Sequence, residues 1–238
     1  MHSKDVSPKD TSTYERILEA AAKLFAEKGY SGTTTREIVK EAGSSLSSLQ
    51  FYFQSKESVY SEAINRALAR QHEMLKPIVD EINAYEQAGL LNSANAWNLI
   101  IDLVTKMTDW VMLKEEQDVI RLMNQEMTSA TPLPLFSTVP APAMNVHGYF
   151  YKLFLAYSTN IDPFSARLLS FFVVISFFNL ALYPRVLGQV LECDMENPEN
   201  ILHAKILTKS YILTSIQGYL NHYHSDNNSQ QEISKPVS

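Results

Sequence analysis

Residues 13–64 read TYERILEAAAKLFAEKGYSGTTTREIVKEAGSSLSSLQFYFQSKESVYSEAI, and the punctuation of this stretch decides the fold. Just before it, Ser12 with Glu15 makes a capping-box pair. Ile17, Leu18, Ala21, Leu24 and Phe25 then follow at the spacing of one helical face until Gly29 stops the run. Thr34 with Glu37 repeats the box ahead of Ile38, Val39 and Ala42, and Gly43 ends that second helix. Ser45 is placed to cap a third helix with Leu46, Leu49 and Phe53 on its inner face. Ser55 caps a long fourth helix through Val59, Ala63, Ala67 and Leu75, which Pro77 is expected to end or kink. Three short helices joined by tight turns, then a long one, is the order of a helix-turn-helix domain.

Outward from this stretch the helical reading continues. Helices are expected over about 95–114, 115–128, 144–157 and 163–183, and from Pro198 onward. The four prolines at 132, 134, 140 and 142 mark a rigid loop. No segment alternates with the period of a strand, so the fold class is all-α: an N-terminal three-helix domain followed by a C-terminal helical domain. The expected boundaries are a flexible 1–11, a first domain 12–57, a second 58–223 and a polar, disordered tail 224–238.

Composition narrows the possibilities. With 238 residues, 45% of them hydrophobic and 19% charged, the chain has material for a sizeable core without staples. A single cysteine, Cys193, excludes an internal disulfide and suggests a reducing compartment, and MHSKDVSPKD carries no secretory signal, so a soluble cytoplasmic protein is expected. The uncharged run from Leu168 to Pro184 is at the short edge of a membrane span and contains Ser170, Ser176 and Asn179; it reads as an interface helix. Seven glycines leave little for phosphate loops, His72, His147 and His203 lack metal-ligand spacing, and no nucleophile or phosphate motif occurs. No enzyme, metal site or cofactor is expected. The net charge of −6 lies wholly beyond residue 57, because residues 1–57 hold eight basic and eight acidic side chains. Any contact with nucleic acid therefore falls to the N-terminal portion.

The third helix shows how that contact would be made. With Leu49 and Phe53 inward, Ser47, Ser48 and Phe51 face out, with Gln50 and Tyr52 on the flanks. Serine and glutamine can hydrogen-bond base edges in a major groove, and a phenyl ring can touch thymine methyls.

The stretch resembles the TetR family of transcriptional regulators over about residues 13–64. Its pattern recurs at Ile17–Ala21, Leu24–Phe25, Gly29–Tyr30, Thr34–Thr35, Ala42–Gly43, Tyr52–Phe53 and Ser55–Glu57, and within the family it looks most like the CecR-type branch. The resemblance implies a homodimer bound to a palindromic double-stranded DNA operator, repression as the usual mode, and a small-molecule effector held by the C-terminal domain. It implies DNA contacts from Thr35, Arg36, Ser45, Ser47, Ser48, Gln50, Phe51, Tyr52 and Lys56, with Lys56 gripping the backbone. Ser44, Leu46, Ser47 and Gln50 stand where the family often has Val, Lys, Gly and Tyr, so no relative's base preference transfers.

In the C-terminal domain, Trp97, Met107, Trp110, Met123, Met127 and Phe150 are the apolar candidates for an effector pocket, with Arg121 and His147 as polar ones. Plain core is the competing reading for each of them. Leu168, Phe171, Ile175 and Phe178 with Ile212 and Ile216 are the expected dimer interface. A second reading stays open, a helical ligand- or partner-sensing module without operator binding; the neutral N-terminal domain and the lack of Lys or Arg on the third helix favour it.

Overall fold

The computed structural model describes residues 8–128, 146–182 and 184–225. Ten helices and no strand occur among the described residues: α1 (Pro8–Gly32), α2 (Thr35–Glu41), α3 (Leu46–Phe53), α4 (Lys56–Gln87), α5 (Ser93–Val111), α6 (Gln117–Thr128), α7 (Val146–Tyr157), α8 (Pro163–Leu182), α9 (Pro184–Val190) and α10 (Pro198–Ser225). A 3-10 turn, Lys114–Glu116, precedes α6. They form two compact units. The N-terminal unit takes the residues through Arg70 together with those from Lys114 onward in α6; the C-terminal unit takes the rest. No helix among the described residues is long and apolar enough to cross a membrane.

In the N-terminal unit, Ile17, Ala21 and Phe25 of α1 are fully buried with Ile38 of α2, Leu49 of α3 and Val59 of α4. An aromatic knot closes this core: Phe25 and Tyr60 meet edge-on at 4.9 Å, and Tyr30 lies 5.2 Å from Tyr60. α1 begins at Pro8, earlier than the Ser12 cap expected, because proline suits a first helical turn. Gly29, at φ 73 and ψ 170, interrupts it as the glycine predicts. The Thr34–Glu37 capping box at the start of α2 is formed in both directions. Gly43 takes φ 56 after α2, a conformation that favours glycine.

The C-terminal unit is built on α5, capped by Asn92, whose side chain accepts from the Ala94 and Asn95 amides. Leu103, Met107 and Trp110 of α5, Phe150 and Phe154 of α7, Phe177 of α8 and Ile216 of α10 form its core. Pro77 does not end α4, which continues to Gln87. The proline forfeits one hydrogen bond, to the carbonyl of Glu73, at a point where both residues are exposed, while Ile78, Val79 and Ile82 hold the continuation in the core. α9 has no counterpart among the expected helices. The four-proline loop and the tail beyond Ser225 lie outside the described residues, while α10 runs two residues past the expected start of that tail.

Candidate nucleic-acid interface

The reading face is built from α2 and α3. Ser45 caps α3 by accepting from the Ser48 amide at 3.0 Å, and its hydroxyl lies 2.9 Å from that of Ser48. These two hydroxyls are therefore spent first on ending the helix. Leu49 and Phe53 are buried, while Ser47 and Gln50 are exposed and Phe51 is 62% exposed. Leu46 departs from expectation: it is the first residue of α3 and is 40% exposed, on the flank beside Gln50.

Tyr52 and Phe53 are braced by a residue the sequence did not single out. Tyr14 of α1 stacks on Phe53 at 4.9 Å and meets Tyr52 edge-on at 5.8 Å. Its hydroxyl donates to Glu62 at 2.7 Å, and burial, helped by that carboxylate, raises its pKa. No local pattern marks Tyr14, because its partners lie about forty residues downstream. α3 ends in a tight turn in which Gln54 takes φ 62 and the Ser55 amide donates to the Phe53 carbonyl at 2.7 Å.

The cations around this face divide into engaged and exposed. Lys23 pairs with Glu41 at 2.6 Å and Lys28 with Glu37 at 2.7 Å. Lys56 turns inward: its ammonium donates to the carbonyls of Tyr30 at 2.9 Å and Thr33 at 3.0 Å. Arg36, next to half-buried Thr35, and Lys40 are exposed along α2.

Residues 17–63 match the family model described as bacterial regulatory proteins, tetR family. The N-terminal domain is a TetR-family domain. It is 40% identical over 50 residues to the biofilm operon icaADBC HTH-type negative transcriptional regulator IcaR of Staphylococcus aureus (strain Newman), a match covering 21% of this chain and 27% of IcaR. The match thus spans about a quarter of that relative's length. A TetR-like transcriptional regulator from Rhodococcus sp. RHA1 superimposes with a TM-score of 0.60 at 18% identity, over 87% of this chain and 96% of that one. Bacillus subtilis FadR, in complex with stearoyl-CoA, does so with 0.57 at 15% identity, over 85% and 97%. These two likenesses are of fold.

The expected effector residues are distributed over both units. Met107, Trp110 and Phe150 are fully buried core of the C-terminal unit, and Trp97 leans on Tyr157 at 5.4 Å. Arg121 belongs to the N-terminal unit, where it pairs with Asp118 at 3.2 Å. The side chains of Met123 and Met127 lie outside those described. His147 lines a surface groove with Tyr151, Arg167, Ser170 and Phe171, stacked on Phe171 at 6.1 Å. Burial pulls its imidazole below the ordinary pKa, against an opposing backbone hydrogen bond at Ser170.

The expected dimer residues separate by helix. On α8, Leu168 and Phe171 are exposed and Ile175 and Phe178 half-buried, joined on the same face by Phe172 and by Phe164, 74% exposed. On α10, Ile212 and Ile216 are buried in the protomer's own core and are not available to a partner. The exposed apolar residues there are Leu202, Ile206, Leu207, Tyr211 and Tyr219, with Tyr211 69% exposed. Both sides of α10 are apolar, and the side carrying Leu220 with Ile212 and Ile216 takes the core.

Proposed function

We propose that this chain is a DNA-binding transcriptional regulator, acting in the cytoplasm as a repressor, that binds a palindromic operator as a homodimer and responds to a small-molecule effector. One observation carries the reading: in a TetR-family domain, α3 turns Ser47, Gln50 and Phe51 outward from a core anchored by Leu49 and Phe53. Polar and aromatic groups on the open face of a short helix are suited to base edges in the major groove. The likeness to IcaR, a negative transcriptional regulator, supports repression. The uncovered apolar face of α8 supports a two-fold, self-complementary pairing. The fold likeness to FadR, a regulator in complex with stearoyl-CoA, supports a small-molecule effector; in this reading the C-terminal helices hold it and it changes the separation of the two reading helices. The test is a gel shift with the DNA upstream of the chain's own coding sequence, backed by selection from a genomic DNA library. Retention of specific fragments is expected. No retention at low salt would overturn the reading and leave the sensing module without operator binding.

A further inference from the structure

We propose that α3 reads its half-site mainly through thymine methyl groups, with Leu46 and Phe51 as the two apolar readers and Gln50 between them selecting adenine. This rests on the DNA-binding reading above and names the class of operator that reading leaves open.

Among the described residues of the N-terminal unit, Leu46 and Phe51 are the only large apolar side chains left exposed, and both stand on α3. Every other large apolar side chain described in that unit finds cover, so the exposure is concentrated where the groove would lie. Leu46 and Gln50 form one exposed row along the flank of α3 and Ser47 and Phe51 the next, about 100° further round, the members of each row four residues apart. The two apolar residues are separated by roughly 7–8 Å along the helix axis, about two base-pair steps. Unmodified DNA offers one apolar group in the major groove, the C5 methyl of thymine.

The polar inventory points the same way. α3 has no lysine or arginine, so the commonest guanine contact, a bidentate cation on O6 and N7, is not available from it. Lys23 and Lys28 are paired and Lys56 faces inward, which leaves Arg36 and Lys40 as exposed cations on α2 rather than on α3. Gln50 can make the bidentate contact to adenine N6 and N7, and adenine is the partner of thymine. Leucine, phenylalanine and glutamine therefore converge on A·T pairs.

The experiment uses the full chain and a double-stranded library with a random centre. Recovered half-sites are expected to share A·T pairs with thymine at two positions about two steps apart. The selected duplex is then rebuilt with deoxyuridine for thymidine, which removes only the methyl. Affinity is expected to fall about fourfold for each methyl contacted, the equivalent of ~0.8 kcal/mol. Leu46→Ala and Phe51→Ala change exposed residues, so folding is retained; each should bind the thymidine duplex more weakly and lose part of the sensitivity to deoxyuridine. Half-sites whose shared positions are G·C, wild-type binding indifferent to deoxyuridine, or variants as sensitive as wild type would each overturn the inference while leaving DNA binding intact. A library from which nothing is enriched would overturn the DNA-binding reading itself.

Discussion

The Lys56 ammonium lies 4.0 Å from the centre of the Tyr30 ring and donates to that residue's carbonyl oxygen at 2.9 Å. A second bond, to the Thr33 carbonyl at 3.0 Å, makes one side chain at the start of α4 the clasp of the corner between α1 and α2. Thr34 caps α2 immediately afterwards, so the same clasp sets where α2 begins. A residue that resemblance assigns to the DNA backbone thus has a folding role first.

This divides the effects of two cations. Lys56→Met keeps the stem but removes both charged hydrogen bonds, and should lower stability by about 1–3 kcal/mol in a denaturant melt. Its effect on the salt dependence of DNA binding should be small. Arg36→Ala, at an exposed position, should leave the melt unchanged and flatten the slope of log K against log salt by about one. With few outward cations the wild-type slope should itself be shallow, about −4 to −6 for a dimer. A Lys56 variant with an unchanged melt and a flattened slope would reverse the assignment.

Arg70 and Glu116 give a stability prediction inside the N-terminal unit. The guanidinium holds both carboxylate oxygens, at 2.5 and 2.9 Å, and the Glu116 side chain is 2% exposed. Removing the arginine alone leaves a buried charge without its main partner. Arg70 is itself partly exposed, so solvent screens some of that cost, and Arg70→Met should destabilise by about 1–3 kcal/mol. The double change Arg70→Met with Glu116→Leu should recover most of it. Equal destabilisation by the single and double variants, measured as urea midpoints, would show that the pair is not coupled.

What the sequence disclosed here is local, and what it concealed is distant. The Thr34–Glu37 box, the Ser45 cap and the glycine after α2 are short-range devices, legible because a cap and its amide lie within three residues. The inner face of α3 was legible at Leu49 and Phe53 but not at Leu46, which has the spacing of an inner residue yet is 40% exposed, while Tyr14, thirty-nine residues before Phe53, packs only at the far end of the helix on Tyr52 and Phe53. Likewise α10 carries Leu207 and Tyr211 on one side and Ile212, Ile216 and Leu220 on the other. Hydrophobic period cannot choose between two apolar sides; only the packing against α5 and α8 does. Nor could period alone assign the effector candidates, since a methionine or tryptophan stripe looks alike in a pocket and in a core.

Acid should loosen the start of α2. The Glu37 carboxylate is held down to about 2, from an ordinary 4.5, by the Lys28 ammonium first and then by the Thr34 amide and hydroxyl. A carboxyl that is more acidic when folded contributes stability fully present above its unfolded value and lost as pH falls toward the folded one. The contribution should therefore be intact at neutral pH and disappear between about pH 4.5 and 2. A carbon-detected NMR titration should place Glu37 well below the exposed glutamates, and Lys28→Met should raise it. A Glu37 that titrated with the other glutamates would show that the bridge to Lys28 does not persist in solution.

The last prediction concerns assembly, because one eight-residue helix reaches only a few base pairs and useful specificity needs two copies at fixed spacing. The outer face of α8 carries Phe164, Leu168, Phe171 and Phe172 in the open, and α10 adds Ile206, Leu207 and Tyr211. Covering such side chains is worth about 25 cal/mol per Å² of apolar surface, so a pairing of these helices has ample driving force. The partner that fits the proposed palindrome is a second copy, which presents the same patch to itself. Phe171→Glu and Leu207→Glu put charges into that seam without disturbing the core, and should give folded monomers with little specific DNA affinity. Ile216→Glu should act differently: Ile216 is fully buried in its own protomer, so the change should unfold the C-terminal unit rather than split a dimer. Sedimentation of the wild type at micromolar concentration separates the cases. A 27.0 kDa species that still bound a palindrome tightly would overturn the dimer, and an Ile216→Glu protein that was monomeric yet normally stable would show that α10 turns its other side to the partner.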